Sequence, residues 1–227
     1  GCGDFSVLAL YFKLIEKRKL HHEKITTVAG IGCSSRFPYF VQAHGAHFIH
    51  GRALPFASGV SLSRPDLHVF VFGGDGDAFS IGGNHFNHTA RKNIKMTYVV
   101  MDNRIYGMTK GQPSPTTESE FDTALSPGGT GLRPFHPLVI ALASGANFVA
   151  RCFSGEPNET AAICPFDLAK GVPASQVDLD NVVYEQFRVQ RKYARPLAQQ
   201  SFEAYEQQAC AGLVPGSNRN LKVNVRL

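Results

Sequence analysis

Short apolar runs, each closed by glycine or an oxygen-bearing side chain, set the pattern of this chain. Residues 67–72 and 96–101 are dense apolar runs that read as buried parallel strands. Between them, residues 78–91 carry Phe79, Ile81 and Phe86 and predict one helical crossover, which completes a βαβ unit. Residues 25–31 predict the first strand. Ahead of it, Val7, Leu8, Leu10, Tyr11, Leu14 and Ile15 recur at helical spacing over 5–18, and Lys17-Arg18-Lys19 complements the dipole at that helix's end. A short strand reaching His50 feeds a helix over 55–62. Phe135-His136-Pro137 opens another over 138–144, 146–151 reads as a further strand, and Cys152, in the strand-like run 148–153, reads as a small core residue. The stretch 110–133 is rich in Pro, Ser, Thr and Gly and reads as a long functional loop. The expected fold is a doubly wound, mostly parallel α/β domain over 1–157.

Residues 158–227 have another character. They are rich in Gln and Arg and broken by Pro165, Pro173, Pro196 and Pro215; helices over 182–193 and 198–210 would have thin apolar faces. This reads as a divergent tail with little apolar surface to offset the entropy of ordering. The chain opens at Gly1 without an initiator methionine and reads as a fragment.

Composition narrows the function classes. The formal charge is +5, but Lys and Arg are scattered and form no run of five, so a nucleic-acid partner is not expected. A basic patch for an acidic protein partner remains compatible with that charge. No stretch of 18 apolar residues and no signal peptide is visible, so the expectation is a cytoplasmic protein with no membrane partner.

The candidate chemistry sits at the ends of the two central strands. Gly73-Gly74-Asp75-Gly76-Asp77 closes the first, and Asn103 follows 28 residues after Asp75 at the end of the second. Ligands of parallel sheets sit at such carboxyl ends. Glycines let backbone N–H groups approach an oxyanion closely, with the helix start at Asp77 favouring a phosphate. A carboxylate, an amide oxygen and a nearby backbone carbonyl are hard ligands suited to Mg²⁺ on a diphosphate.

Gly74-Asp75-Gly76 with Asn103 resembles the diphosphate motif of thiamine-diphosphate enzymes. The run Asn103-Arg104-Ile105-Tyr106-Gly107-Met108-Thr109-Lys110-Gly111-Gln112, with Ser114-Pro115-Thr116, is narrower. It resembles the β subunit of 2-oxoacid:ferredoxin oxidoreductases, most closely the 2-oxoglutarate type. That resemblance implies Mg²⁺ on Asp75, Asn103 and the Ile105 carbonyl, and phosphates against Gly76 and Asp77. It implies cofactor contacts at Ile31, Gly32, Cys33, Ser34, His50, Gly107 and Met108, with Arg36 and Lys110 near the substrate. An Arg36 guanidinium fork suits the distal carboxylate of 2-oxoglutarate. Asn84, His85, Asn87 and His88, on the crossover helix, read as packing or subunit contacts.

Five cysteines at 2, 33, 152, 164 and 210 form no secreted disulfide framework. By the same resemblance, Cys2 and Cys33 match two ligands of a [4Fe–4S] cluster, which needs four thiolates. The family's fourth has no matching string here; Cys164, in Ile163-Cys164-Pro165, is a stand-in. The implied function is CoA-dependent oxidative decarboxylation of a 2-oxoacid, with ferredoxin as electron acceptor and an α subunit supplying the rest of the site. Other readings stay open: a non-oxidative thiamine-diphosphate decarboxylase or synthase, pyruvate or a branched-chain substrate, and a cofactor-binding subunit without activity.

Overall fold

The computed structural model describes residues 3–155. Cys2, Cys164, Cys210, the tail over 158–227 and its two expected helices lie outside them. No helix among the described residues is long and apolar enough to cross a membrane.

Helix α1 (Asp4–Lys17) leads into β1 (Ile25–Ala29), followed by a 3₁₀ turn and β2 (His44–His47). Helix α2 (Ala53–Ser63) crosses to β3 (His68–Gly74), and α3 (Gly83–Lys92) crosses to β4 (Thr97–Met101). A two-residue ribbon, β5 (Ile105–Tyr106) with β6 (Gln112–Pro113), and helix α4 (Pro137–Ala143) complete the order. The four main strands are all parallel and lie in the order β2-β1-β3-β4.

Alternation along the strands divides the core between the two faces of the sheet. Ile25, Ala29, Phe70 and Phe72 point to one side and pack with Leu8 and Tyr11 of α1 and Phe37 of the 3₁₀ turn. Val28, Val69 and Val71 point to the other and meet Ala53, Leu54 and Ala57 of α2. Phe72 stacks on Phe37 at 4.1 Å and takes Tyr11 edge-on at 5.1 Å. The Tyr11 hydroxyl bonds Thr27 Oγ1 at 2.9 Å; burial, partly offset by that bond, pushes its pKa well above the usual phenol value. Helices therefore cover both faces, as a doubly wound sheet requires. The chain leaves β1 toward β2 and leaves β3 toward β4, so the crevice between β1 and β3 is the topological switch point.

Two local expectations are corrected. Residues 146–153 form no strand: the chain there is irregular, and Cys152 is exposed rather than a core residue. Apart from Val149 its apolar side chains are half-buried or exposed, Phe153 by 72%, so they supply no buried strand face. The crossover after β3 is not one helix. Residues Gly76–Ile81 form a π-helical turn, and α3 starts afresh at Gly83. The break follows from a close approach, because a Cβ at Gly82 would stand 3.2 Å from Gly51 Cα and 2.3 Å from the Asp77 carbonyl oxygen. Such π-turns inside helices concentrate at functional sites. Helix α3 buries none of its residues: Asn84, Asn87 and His88 are exposed and His85 is half-buried, a face open to a subunit contact.

Candidate functional site

Four chain segments meet over the switch point: the turns following β1, β2 and β3, and the loop following β4. The turn after β3 is the centre. Asp75 is 2% exposed. Its Oδ2 accepts from the Thr116 hydroxyl at 3.0 Å, and that same hydroxyl lies 2.7 Å from Asp102 Oδ1. One hydroxyl proton thus faces two carboxylates. Burial pushes the Asp75 pKa up, and the charge of Asp102 adds to it, against hydrogen bonds from Ser114 and Thr116. A buried carboxylate in that state gains strongly from a cation.

The Asp102–Asn103–Arg104 turn is shaped by its own side chains. Asp102 Oδ1 accepts from Arg104 N at 3.0 Å and Asn103 Oδ1 from Ile105 N at 3.1 Å. Arg104 takes φ +59°, in the left-handed region that costs a non-glycine residue energy. Thr117 fixes it from below through the Arg104 carbonyl, and the Arg104 guanidinium pairs with Glu118. Tyr106 reaches back across the site, its hydroxyl donating to the Gly76 carbonyl at 3.3 Å. Its ring occupies the space a side chain at Gly76 would need, since a Cβ there would stand 2.3 Å from Tyr106 Cε1. Gly76 is therefore required by packing.

Asp77 lies in the first turn of the segment after Asp75, at the expected helix start. Its carboxylate is 3% exposed and turned inward, where Oδ1 accepts from Ile31 N at 2.9 Å, Gly51 N at 2.8 Å and His50 Nδ1 at 2.6 Å. The Asp77 side chain is thus committed to internal donors. Behind it, burial and then the charge of Asp77 raise the Tyr98 phenol far above its usual range.

The other expected residues divide into two groups. Ile31, Gly32, Cys33 and Ser34 form the turn after β1, with Gly32 at φ +129° and the Cys33 thiol exposed. Ser34 is buried, and a Cβ at Gly74 would stand 3.2 Å from its hydroxyl. Gly107 and Met108 follow β5 on the open side, Met108 being 52% exposed. Arg36 and Lys110 are exposed and not bonded into the carboxylate cluster. Arg36 lies over the Tyr39 ring at 5.3 Å, and Tyr39 bonds His47 Nδ1 at 2.8 Å. The Lys110 N–H donates to Gln112 Oε1 at 3.1 Å. Asp102 and Thr117 were not among the expected site residues, and Thr116 and Tyr106 entered only within the motif string; the signal for Thr116 and Thr117 was the Ser114–Thr117 hydroxyl run, whose three hydroxyl residues are buried.

The donor types suit a small hard cation: the buried Asp75 carboxylate just past the end of β3, and the Asn103 amide oxygen and Ile105 carbonyl just past the end of β4, which here accept from Ile105 N and Gly107 N. Of the cysteines expected to bind an iron–sulfur cluster, the described residues hold Cys33, whose thiol is exposed on the turn after β1; Cys2 and Cys164 lie outside them.

Comparison with known proteins shows the family and the fold. Residues 24–174 match the model of the thiamine pyrophosphate enzyme C-terminal TPP-binding domain. The match runs past residue 157, where the resemblance read from sequence stops. A 2-oxoglutarate oxidoreductase subunit KorB of Mycobacterium tuberculosis is 48% identical over 158 residues, covering 70% of this chain and 42% of that one. A 2-oxoglutarate synthase subunit KorB of Methanocaldococcus jannaschii is 38% identical over 200 residues, covering 86% and 73%. Among solved structures, a 2-oxoglutarate:ferredoxin oxidoreductase from Magnetococcus marinus, with 2-oxoglutarate, coenzyme A and succinyl-CoA bound, matches at a TM-score of 0.70. It is 47% identical and covers 75% of this chain and 57% of that one. This chain belongs to the thiamine pyrophosphate enzymes with a C-terminal TPP-binding domain, among the KorB (β) subunits. It spans about half the length of most of the curated relatives it matches.

Proposed function

We propose that this chain is the cofactor-binding part of the β subunit of a 2-oxoglutarate:ferredoxin oxidoreductase. In this reading it holds the diphosphate of thiamine diphosphate and its Mg²⁺. The observation that carries it is the convergence of Asp75, the Gly76 turn and the 102–117 loop at the switch point of a parallel sheet. Relatives bearing that name and a solved complex with 2-oxoglutarate and coenzyme A support the substrate class.

Asp75, Asn103 and the Ile105 carbonyl would hold the metal. Gly76 and the backbone of Asp77 would line the phosphates, the Asp77 side chain being engaged elsewhere. The cofactor, when bound, supplies the electron sink for loss of CO₂ from a 2-oxoacid. This chain's residues bind, orient and exclude water. The buried Ser114, Thr116 and Thr117 hydroxyls keep the Asp75 wall dry and fixed, while Arg36 gives a carboxylate-sized anchor on the outer rim. Exposed apolar tips on separate strand-end loops, Ile31, Ile49 and Met108, suit closure by a partner α subunit. Ferredoxin is the proposed electron acceptor, and no electron-transfer step is assigned to the described residues.

The test is to co-express the full chain anaerobically with its partner subunit and follow reduction of ferredoxin. Reduction that requires 2-oxoglutarate, coenzyme A and thiamine diphosphate together, with none from the isolated chain, supports the proposal. CO₂ release without electron transfer would replace it with a non-oxidative thiamine-diphosphate enzyme.

A further inference from the structure

An aspartate two residues past a diphosphate turn is a poor neighbour for phosphate unless its charge is used up. Asp77 uses it up on one atom. Oδ1 takes three donors, two backbone N–H groups and an imidazole, from turns 46, 26 and 27 residues away in the chain. The other oxygen lies in space reserved by glycine: a Cβ on Gly30 would stand 2.1 Å from Oδ2, and one on Gly73 3.3 Å. The turns after β1, β2 and β3 are thus assembled round one carboxylate. Charge-assisted bonds of this kind are the strong ones.

The geometry also fixes a proton. Two backbone N–H groups, which can only donate, already point at Oδ1, so that oxygen is the acceptor and the proton in the 2.6 Å contact belongs to His50 Nδ1. The ring meets Tyr106, from the loop after β4, edge-on at 6.4 Å, and a third of the side chain remains exposed. The neighbouring Arg52 guanidinium is turned away, donating to the Ile81 carbonyl at 3.2 Å and to its neighbour Gly51 at 3.4 Å. Nε2, on the far side of the ring from Asp77, is the nitrogen left for another partner.

We infer that Asp77 is a positioning residue that works through His50. Its Oδ1 locks the imidazole with the proton on Nδ1 and presents Nε2 to the cofactor bound over the ends of β1 and β3. This rests on the thiamine-diphosphate reading given above. Partners that orient a ligating histidine from behind are worth about 10- to 100-fold in affinity or activity when removed.

The two ring nitrogens can be separated by amide replacement. His50→Asn keeps an N–H near the Nδ1 position, so Asp77 stays satisfied, but leaves nothing at Nε2. Asp77→Ala keeps the ring and frees it to turn. Both are measured in the complex of the full chain with its partner subunit. Binding of Mg²⁺–thiamine diphosphate is followed by calorimetry, and histidine side chains labelled with ¹⁵N by NMR, the His50 signal being the one lost in His50→Asn. The inference expects an Nδ1–H signature for His50 without ligand, its loss in Asp77→Ala, and 10- to 100-fold weaker cofactor binding in both variants. His50→Asn should melt like the wild type, which separates lost function from lost fold. Wild-type affinity in His50→Asn would overturn the inference and leave Asp77 as a plain structural clamp. An Nε2–H signature in the free wild type would overturn it as well. If the wild type binds no thiamine diphosphate, the cofactor reading fails instead, and the NMR signature still decides how Asp77 holds the ring.

Discussion

Replacing Gly76 by alanine puts a methyl group where the Tyr106 ring lies. The added Cβ would stand 2.3 Å from Cε1, 2.6 Å from Cζ and 2.8 Å from Cδ1. Carbon atoms in good contact sit about 3.5–4.0 Å apart, so the ring must retreat by more than about 1 Å. Overpacking of this kind costs about 1–3 kcal/mol. The retreat also moves the loop that carries Asn103 and Ile105 away from Asp75, and a misplacement of about 1 Å can cost about 100-fold in a positioned site. Mg²⁺–thiamine diphosphate should therefore bind the Gly76→Ala complex about 10- to 100-fold more weakly, read by calorimetry. The cause is the ring, so Tyr106→Ala in the same chain should restore much of the loss, with a coupling of about 0.5–3 kcal/mol in the double-mutant cycle. Wild-type affinity in Gly76→Ala, or a double variant no better than the single one, would refute this reasoning.

Other outcomes follow from the same geometry. Asp75 has a raised folded-state pKa, so its protonated form favours the fold: that contribution is full below the unfolded value of about 3.9 and is lost as pH rises through the folded one. Asp75→Asn should then raise the melting temperature of the metal-free chain at pH 7; a melt below the wild type's would contradict the assignment. Thr116→Val leaves Asp75 and Asp102 facing each other without their shared hydroxyl; urea unfolding should show a loss of about 1–3 kcal/mol, and an unchanged midpoint would count against it. Tyr11→Phe deletes one buried hydrogen bond and should cost about 1 kcal/mol by the same method. Arg36→Met should raise the KM for 2-oxoglutarate about 10- to 100-fold, as for loss of a hydrogen bond to a charged group. It should spare 2-oxobutyrate, and equal effects on both substrates would remove Arg36 from specificity.

The parallel sheet was legible because its strands advertise themselves. Residues 25–29 and 69–72 are continuous apolar or Thr runs closed by glycine, a pattern that buried parallel strands need and few other elements produce. Asp75 was legible because its neighbours are glycines at a strand end. The role of Asp77 was not, since its three partners are 26 to 46 residues away and no local pattern encodes that contact. Thr116 was hidden for the same reason: its hydroxyl matters only because the loop folds back 41 residues onto Asp75. The π-turn at Gly76–Ile81 escaped because Phe79, Ile81 and Phe86 suit a helix; the backbone of Gly51, pressed against Gly82, decides otherwise. Residues 146–153 carry strand-forming side chains but find no sheet edge to join.

Calorimetric titration of Mg²⁺–thiamine diphosphate into the complex of the full chain with its partner subunit, wild type beside Asp75→Asn, decides whether Asp75 holds the cofactor's metal. One cofactor should bind per copy of this chain in the wild type, and no measurable binding should remain in the variant. Equal affinity in the two, or no binding by a well-formed wild-type complex, would contradict that role.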